Sequence, residues 1–269
     1  MDRHVETYYK RSSDDDMGGK FHEVIALHDS PDISWESIHK RVPSLPRGWY
    51  ELSQLPIRDR IEFCRDYWLS QFPYHPNLSD FLVRFFDSLD DLGIYITQQK
   101  WEDPYHVEMI YSLSGDSGYY TGKLPSAESD LLNLQKEFPQ YILPKDYLAF
   151  LQIHDGFCKT TDCTGVIPWK KMKDEYDLFQ LMLLDEPNLS TSKGAPVDPK
   201  SLIPFYKSFG VPFYQCFWGE WYPQQEMGNV YYSHTSKTIS DVSCSDTSCE
   251  SMAFPTFIDW LMFYLERVE

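Results

Sequence analysis

Three groups of residues have types and spacings that invite chemistry. Cys158 and Cys163 are separated by four residues, as are Cys244 and Cys249, and His154 stands near the first pair. Two such pairs could close a tetrahedral thiolate zinc site. Neither has a glycine-rich knuckle, and the second lies in a serine-rich stretch from Ser240 to Ser251, so reduced thiols and no metal are the expectation. His154-Asp155 could act as a base and its orienting carboxylate. Adjacent residues at a helix end seldom face each other, so capping and turn roles are expected there. Glu220 and Glu226 flank Trp221-Tyr222, and paired carboxylates perform acid–base work when held close. Nothing in the spacing holds these two together. The chain has no phosphate-binding glycine loop, no G-x-S-x-G elbow, no H-E-x-x-H and no calcium loop. No catalytic residue, no metal and no cofactor is therefore predicted, and the chain reads as a non-enzyme.

The same loop reads better as a binding surface. Trp218, Gly219, Glu220, Trp221, Tyr222 and Glu226 combine aromatic anchors with carboxylates that would receive Lys or Arg from a partner. The alternative is that the tryptophans cap a sheet and the acids keep the loop soluble. Trp169 with Asp174-Glu175-Tyr176-Asp177 is a second mixture of this kind.

Composition narrows the class. The chain has 269 residues, 42% of them hydrophobic and 16% aromatic, which excludes wholesale disorder. No apolar run approaches the ~18 residues of a membrane span. Lys and Arg number 24 against 41 Asp and Glu, a net charge of −17. The acids are spread evenly, with 13 basic and 21 acidic groups in residues 1–125 and 11 and 20 in residues 126–269. Such a surface repels phosphates, so neither nucleic acid nor an anionic membrane is a predicted partner, whereas a basic protein is. The N-terminus lacks the apolar core of a secretory signal, and six cysteines are too few for a disulfide scaffold. A cytoplasmic protein is expected; its oligomeric state stays open.

The elements that would position these residues can be traced along the chain. Residues 1–34, with Ser12-Ser13-Asp14-Asp15-Asp16 and Gly18-Gly19, read as a flexible leader. Residues 35–125 read as an N-terminal extension with its own helices and a hairpin. A Pro/Trp-rich segment holding Trp35 and Trp49 clamps onto a core. One helix follows Pro56, and a second starts near Asn77 or Ser79 and stops at Gly93. Tyr105 to Leu113 alternates as a strand with one fairly polar face, and Tyr119 to Thr121 returns beside it. Residues 126–269 form the main domain. There Leu131, Leu134 and Phe138 mark one helix, and Pro144 opens another that Gly156 ends in a left-handed conformation. A strand follows at Gly165, and Asp177 to Leu184 reads as a helix or a strand. Leu202 to Phe205 reads as a short buried strand or turn, and Val211 to Trp218 and Asn229 to His234 as consecutive strands. Phe257, Leu261 and Tyr264 lie on one face of a closing helix.

The order of these motifs resembles the SUKH superfamily in its Smi/Knr form, the cell-wall-assembly-regulator type. The resemblance is carried by Glu137, Leu143-Pro144, Tyr147, Phe150-Leu151 and the turn at Asp155-Gly156. Ile203-Pro204-Phe205, Gly228-Asn229-Val230-Tyr231 and the helix containing Phe257 continue it. Asp155 stands where such proteins usually have Asn, and Ala253 where they have Ser. The resemblance implies an α+β fold, with helices packed on a curved, mainly antiparallel sheet. It also implies protein binding without catalysis, either neutralising a toxin as an immunity protein or serving as a regulatory hub.

Overall fold

The computed structural model describes residues 1–9, 21–160, 162, 164–184, 188–208, 213–242 and 252–266. Two compact units emerge, Met1–Ser70 with Ser79–Leu124, and Gln71–Leu78 with Pro125–Glu269. Each combines helices with mostly antiparallel strands, so the protein is α+β.

The first unit contains α1 (Arg3–Tyr8), β1 (Glu23–Ala26), α2 (Trp35–Arg41), α3 (Arg47–Ser53), α4 (Ile57–Gln71), α5 (Leu78–Asp87), β2 (Leu89–Gln98), β3 (His106–Leu113) and β4 (Tyr119–Lys123). The four strands pair antiparallel in chain order. Period-2 alternation sends Met109 and Tyr111 of β3 to one face and Ile110 to the other. On the first face Trp68 of α4 donates its indole N–H to the Tyr111 hydroxyl at 3.1 Å, with Phe86 edge-on to both rings. On the second, Val5, Tyr9 and Phe21 close over Tyr95, Ile110 and Tyr119.

That second face differs from the polar face predicted for β3, and the segment expected to be a leader is what covers it. Asp2 caps α1 by accepting the His4 N–H at 2.6 Å, and it also accepts the Gly118 N–H at 2.8 Å. Tyr9 stacks on Tyr95 at 4.2 Å and donates its hydroxyl to Glu108 at 2.8 Å. The acidic Ser-Asp run dominates the composition of residues 1–34 and hides the apolar positions on either side of it. That run itself lies outside the described residues.

The predicted stop at Gly93 is also corrected. Helix α5 ends at Asp87, and Gly93 sits inside β2 opposite Ile110. A Cβ there would stand 2.7 Å from Cε1 of His28, so the glycine admits the His28 ring. His28 Nδ1 lies 3.1 Å from the Ile94 amide nitrogen, placed to accept its N–H. The Asp90-Asp91 pair, which looks like a solvated helix end, lies in a strand with a bulge between Leu89 and Asp91. Asp91 is buried because Arg60 of α4 reaches it at 2.8 Å.

The second unit contains α6 (Glu128–Glu137), α7 (Lys145–Leu151), β5 (Phe157–Lys159), β6 (Gly165–Val166), α8 (Trp169–Leu183), β7 (Ser190–Thr191), β8 (Leu202–Lys207), β9 (Tyr214–Trp218), β10 (Asn229–Ser233), β11 (Thr238–Ile239), β12 (Ala253–Phe254) and α9 (Phe257–Leu265). Its strands run in the order β5-β6-β8-β9-β10-β11-β7, with β12 also on β10. Strands β11 and β7 pair parallel. Strand β9 is buried along its whole length because both faces are covered. Tyr214, Cys216 and Trp218 join Phe179 and Leu183 of α8. Phe217 stacks on Phe205 at 4.3 Å among Tyr147 of α7 and Phe257 of α9.

Residues 71–78, which the sequence places in the extension, group with this second unit. Phe72 stacks on Phe150 at 6.3 Å, and His75 Nε2 lies 3.1 Å from the Asp259 carboxylate. Helix α7 ends at Leu151, five residues before Gly156. Gly156 does take the predicted left-handed conformation, with φ 107°, but in the turn that enters β5.

Breaking the Arg60–Asp91 pair on one side only should be costly to the first unit. Arg60 also donates to the Leu55 carbonyl, and Asp91 accepts the Leu92 N–H. Asp91→Ala leaves a buried guanidinium without its counter-charge and should cost about 3–5 kcal/mol in urea denaturation, whereas Asp91→Ala combined with Arg60→Met should recover most of that loss.

Candidate functional site

The loop from Gly219 to Gly228 joins β9 to β10, and close ring packing sets its shape. A Cβ on Gly219 would stand 2.2 Å from Cε1 of Tyr141, and one on Gly228 would stand 2.4 Å from Cε3 of Trp221. Both rings therefore lie on bare backbone that a larger residue would push away. Backbone bonds close the frame. The Trp221 N–H donates to the Trp218 carbonyl, the Gly228 N–H to the Trp221 carbonyl, and the Gly219 N–H to the Ser201 carbonyl, at 2.8–3.0 Å.

Of the residues singled out for partner contact, the loop presents only some to solvent. Trp218 is 8% exposed, and Trp221 is half-buried against the same core cluster. Both tryptophans thus contribute to the packing of that cluster. Glu226 turns to the start of α7. Its carboxylate accepts the Lys145 N–H at 2.9 Å and lies 3.7 Å from the Lys145 ammonium. Helix α7 begins after Pro144, which has no side-chain acceptor, so Glu226 serves the free amide at the positive end of that helix. Glu220 is exposed and Tyr222 is 50% exposed. With Glu226 committed to α7, nothing joins the two glutamates as an acid–base pair. Trp169 is half-buried at the start of α8, where its backbone N–H donates to Asp155 and the Lys170 ammonium lies 5.6 Å from its ring.

The residues that carry the family resemblance act mainly as joints. Asp155 accepts the Trp169 N–H at 2.7 Å and so caps α8. Tyr147, Phe150, Leu151, Leu143, Val230 and Phe257 are buried in the cores, Tyr231 stacks on Phe213 at 5.5 Å, and Glu137 is exposed at the end of α6. Asn229, between Gly228 and Val230, is fully buried. Its amide N–H groups donate to the carbonyls of Thr256 at 2.9 Å and Phe254 at 3.3 Å. Its oxygen accepts from Gln215 at 2.7 Å. Gln215 also donates to the Met252 carbonyl at 3.0 Å. This pair fixes the segment that delivers Thr256 to cap α9, where its hydroxyl accepts the Asp259 N–H at 3.0 Å.

Asp146 holds the same helix end from α7. Its carboxylate accepts the N–H groups of Ile258 and Tyr147 at 3.0 and 2.9 Å. Burial pushes its pKa up to about 6, helped by the Glu226 charge and opposed by these hydrogen bonds. A second carboxylate cluster is closed on itself. Asp162 accepts the hydroxyls of Tyr206 and Tyr264 and the N–H of Lys159. Burial first, then the Asp162 charge, pushes both hydroxyls above the usual phenol range, so neither is poised to give up a proton.

Cys158 lies in β5, whereas Cys163, Cys244 and Cys249 lie outside the described residues. Among the described residues no group of three or more His, Cys, Asp or Glu is arranged to hold a metal. No described helix is long and apolar enough to cross a membrane. Sequence reasoning did not single out Tyr141, Asp198, Asn229 or Gln215 as site or joint residues. The Asn in the Gly228-Asn229-Val230-Tyr231 motif was a usable signal; nothing marked Tyr141, whose importance comes from its contact with Gly219.

Two outcomes follow. Asn229→Ala removes all three hydrogen bonds of a buried amide and should cost at least about 2 kcal/mol, with faster amide exchange concentrated in α9. For Asp146, a folded pKa above the ordinary carboxylate value means the folded state binds more protons between about pH 4 and 6. Stability from this group therefore rises as pH falls through that window. Wild type should gain on Asp146→Asn by about 2 kcal/mol between pH 7 and pH 4 in paired urea titrations.

The search for relatives agrees with the order of motifs. The profile of the SMI1 / KNR4 family (SUKH-1) matches residues 125–262. No match was found among curated proteins or among solved structures. The matched stretch spans more than half of the 269 residues and contains α6 to α8, β5 to β12 and most of α9. The chain belongs to the SMI1/KNR4 family (SUKH-1).

Proposed function

We propose that the protein is a non-catalytic, cytoplasmic binding module that engages another protein through the Gly219–Gly228 loop and its surroundings. Its most concrete form is an immunity protein that neutralises a basic toxin. The observation that carries this reading is the construction of the loop. Packing, backbone bonds and the α7 cap hold its frame, while Glu220 and Tyr222 stay exposed at its tip. A rigid frame lowers the ordering cost of association. The net charge of −17 favours a basic partner, raising the association rate and disfavouring acidic competitors.

A regulatory scaffold of the Smi/Knr type is the second reading. It is favoured by the first unit, which lies outside the family match and carries its own exposed aromatics, Trp101 and Phe63. Affinity capture of the full chain from its native cells, with mass spectrometry of the bound proteins, separates the two. One stoichiometric basic protein that survives stringent washing is expected for immunity, and several substoichiometric ones for a scaffold. Capture of no protein at all would overturn both.

A further inference from the structure

We propose that Tyr141, Tyr222, Glu220 and Asp198 form a seat for an arginine side chain of a basic protein partner. The seat rests on the protein-binding reading and adds the chemistry of the contact.

Its geometry is built around Tyr141. The ring lies against Gly219, next to Glu220, and the hydroxyl reaches the Lys200 carbonyl at 3.3 Å. Tyr176 of α8 donates to the same carbonyl at 3.0 Å, fixing that stretch. Asp198 accepts the N–H of Lys200 at 3.0 Å, the same residue whose carbonyl the Tyr141 hydroxyl reaches. The Tyr141 hydroxyl is pushed above the usual phenol range by burial, then by the charges of Asp198 and Glu220, with Tyr222 contributing as well. Asp198, Glu220 and Tyr222 therefore each act on the Tyr141 hydroxyl, while the packing on Gly219 and the bond to Lys200 place that ring between the segments that carry them.

The seat is open and its acids are available. Glu220 makes no ion pair among the described residues, and the Lys200 ammonium pairs with neither carboxylate. Lys145, the lysine nearest in sequence to Tyr141, is turned to Glu226. Tyr222 and Ile142 are 50% and 78% exposed, which supplies an apolar border. Two carboxylates and two phenol rings suit a planar guanidinium better than an ammonium. Arginine stacks on an aromatic face while its fork of N–H groups donates to carboxylates, and lysine offers a compact, strongly hydrated charge instead. The acidic surroundings exclude a phosphate or a carboxylate as the occupant.

The test uses the full chain, labelled with nitrogen-15, and three hexapeptides of alternating glycine with arginine, lysine or citrulline. The arginine peptide should shift the amides of Tyr141, Glu220 and Tyr222, the lysine peptide should shift them less, and the uncharged citrulline peptide should leave them unmoved. Glu220→Gln with Asp198→Asn should weaken the arginine peptide about ten-fold, the size of one lost charge-assisted bond. Asn still caps Lys200, so the fold should hold, and Tyr222→Ala provides a second, half-exposed variant. The seat is overturned if the shifts map to another surface, if citrulline binds as well as arginine, or if both variants bind unchanged. Cellular capture keeps the two readings apart. If the Gln/Asn variant holds the wild-type partner equally well, the seat falls and protein binding stands. If wild type captures nothing while the arginine peptide still docks at these residues, the protein-binding reading falls and the seat keeps its chemistry.

Discussion

The buried amide of Asn229 is the constraint on which the second unit depends. A side-chain amide in a dry core is stable only when its donors and acceptor are matched, and here each finds a partner. Those partners come from β9 and from the chain that leads into α9. The requirement to satisfy one polar group therefore fixes the approach of a helix that is remote in sequence. Asp146 meets the same helix end from α7, and Thr256 caps it from within. Once α9 is placed, Phe257 and Trp260 can complete the ring cluster over Phe205 and Phe217.

The ring clusters supply the larger driving force. Burying each such side chain contributes about 1.5–3 kcal/mol, and it does so without direction. Direction comes from polar joints: Asn229 for α9, Asp155 for α8 and Glu226 for α7. Two of these joints are acids that a reading of charge alone assigns to the surface. Part of the acidity therefore serves helix termini and buried partners such as Arg60, while Glu220 faces water.

How much was legible in the sequence depended on whether the signal was local. The stripe Leu131, Leu134 and Phe138, the closing helix at Phe257, and the alternation through Met109 and Tyr111 all express a period within one segment, and each became the element predicted. The failures were long-range. Gly93 looks like a helix stop until His28 is placed against it, and the polar face of β3 looks solvated until Val5 and Tyr9 cover it. At the candidate site, the aromatic and acidic composition marked the right loop. It did not distinguish Trp218 and Glu226, which are engaged by the core and by α7, from Tyr222 and Glu220, which stay exposed. That distinction rests on Tyr141 and Lys145, 78 and 81 residues away from Gly219 and Glu226.

The division of labour inside that loop bears on how the protein can diverge. Gly219, Trp218, Met227 and Gly228 are tied to the core, and substitution at any of them is penalised by folding itself. Glu220 and the stretch from Tyr222 to Gln225 carry no comparable burden. Gln225 even adopts φ 65°, a conformation that Asn or Gly would take with less strain. The tip can therefore accumulate replacements while its anchoring stays constant. Lineages of this chain should vary fastest over those few positions, with the residues on either side of them held still.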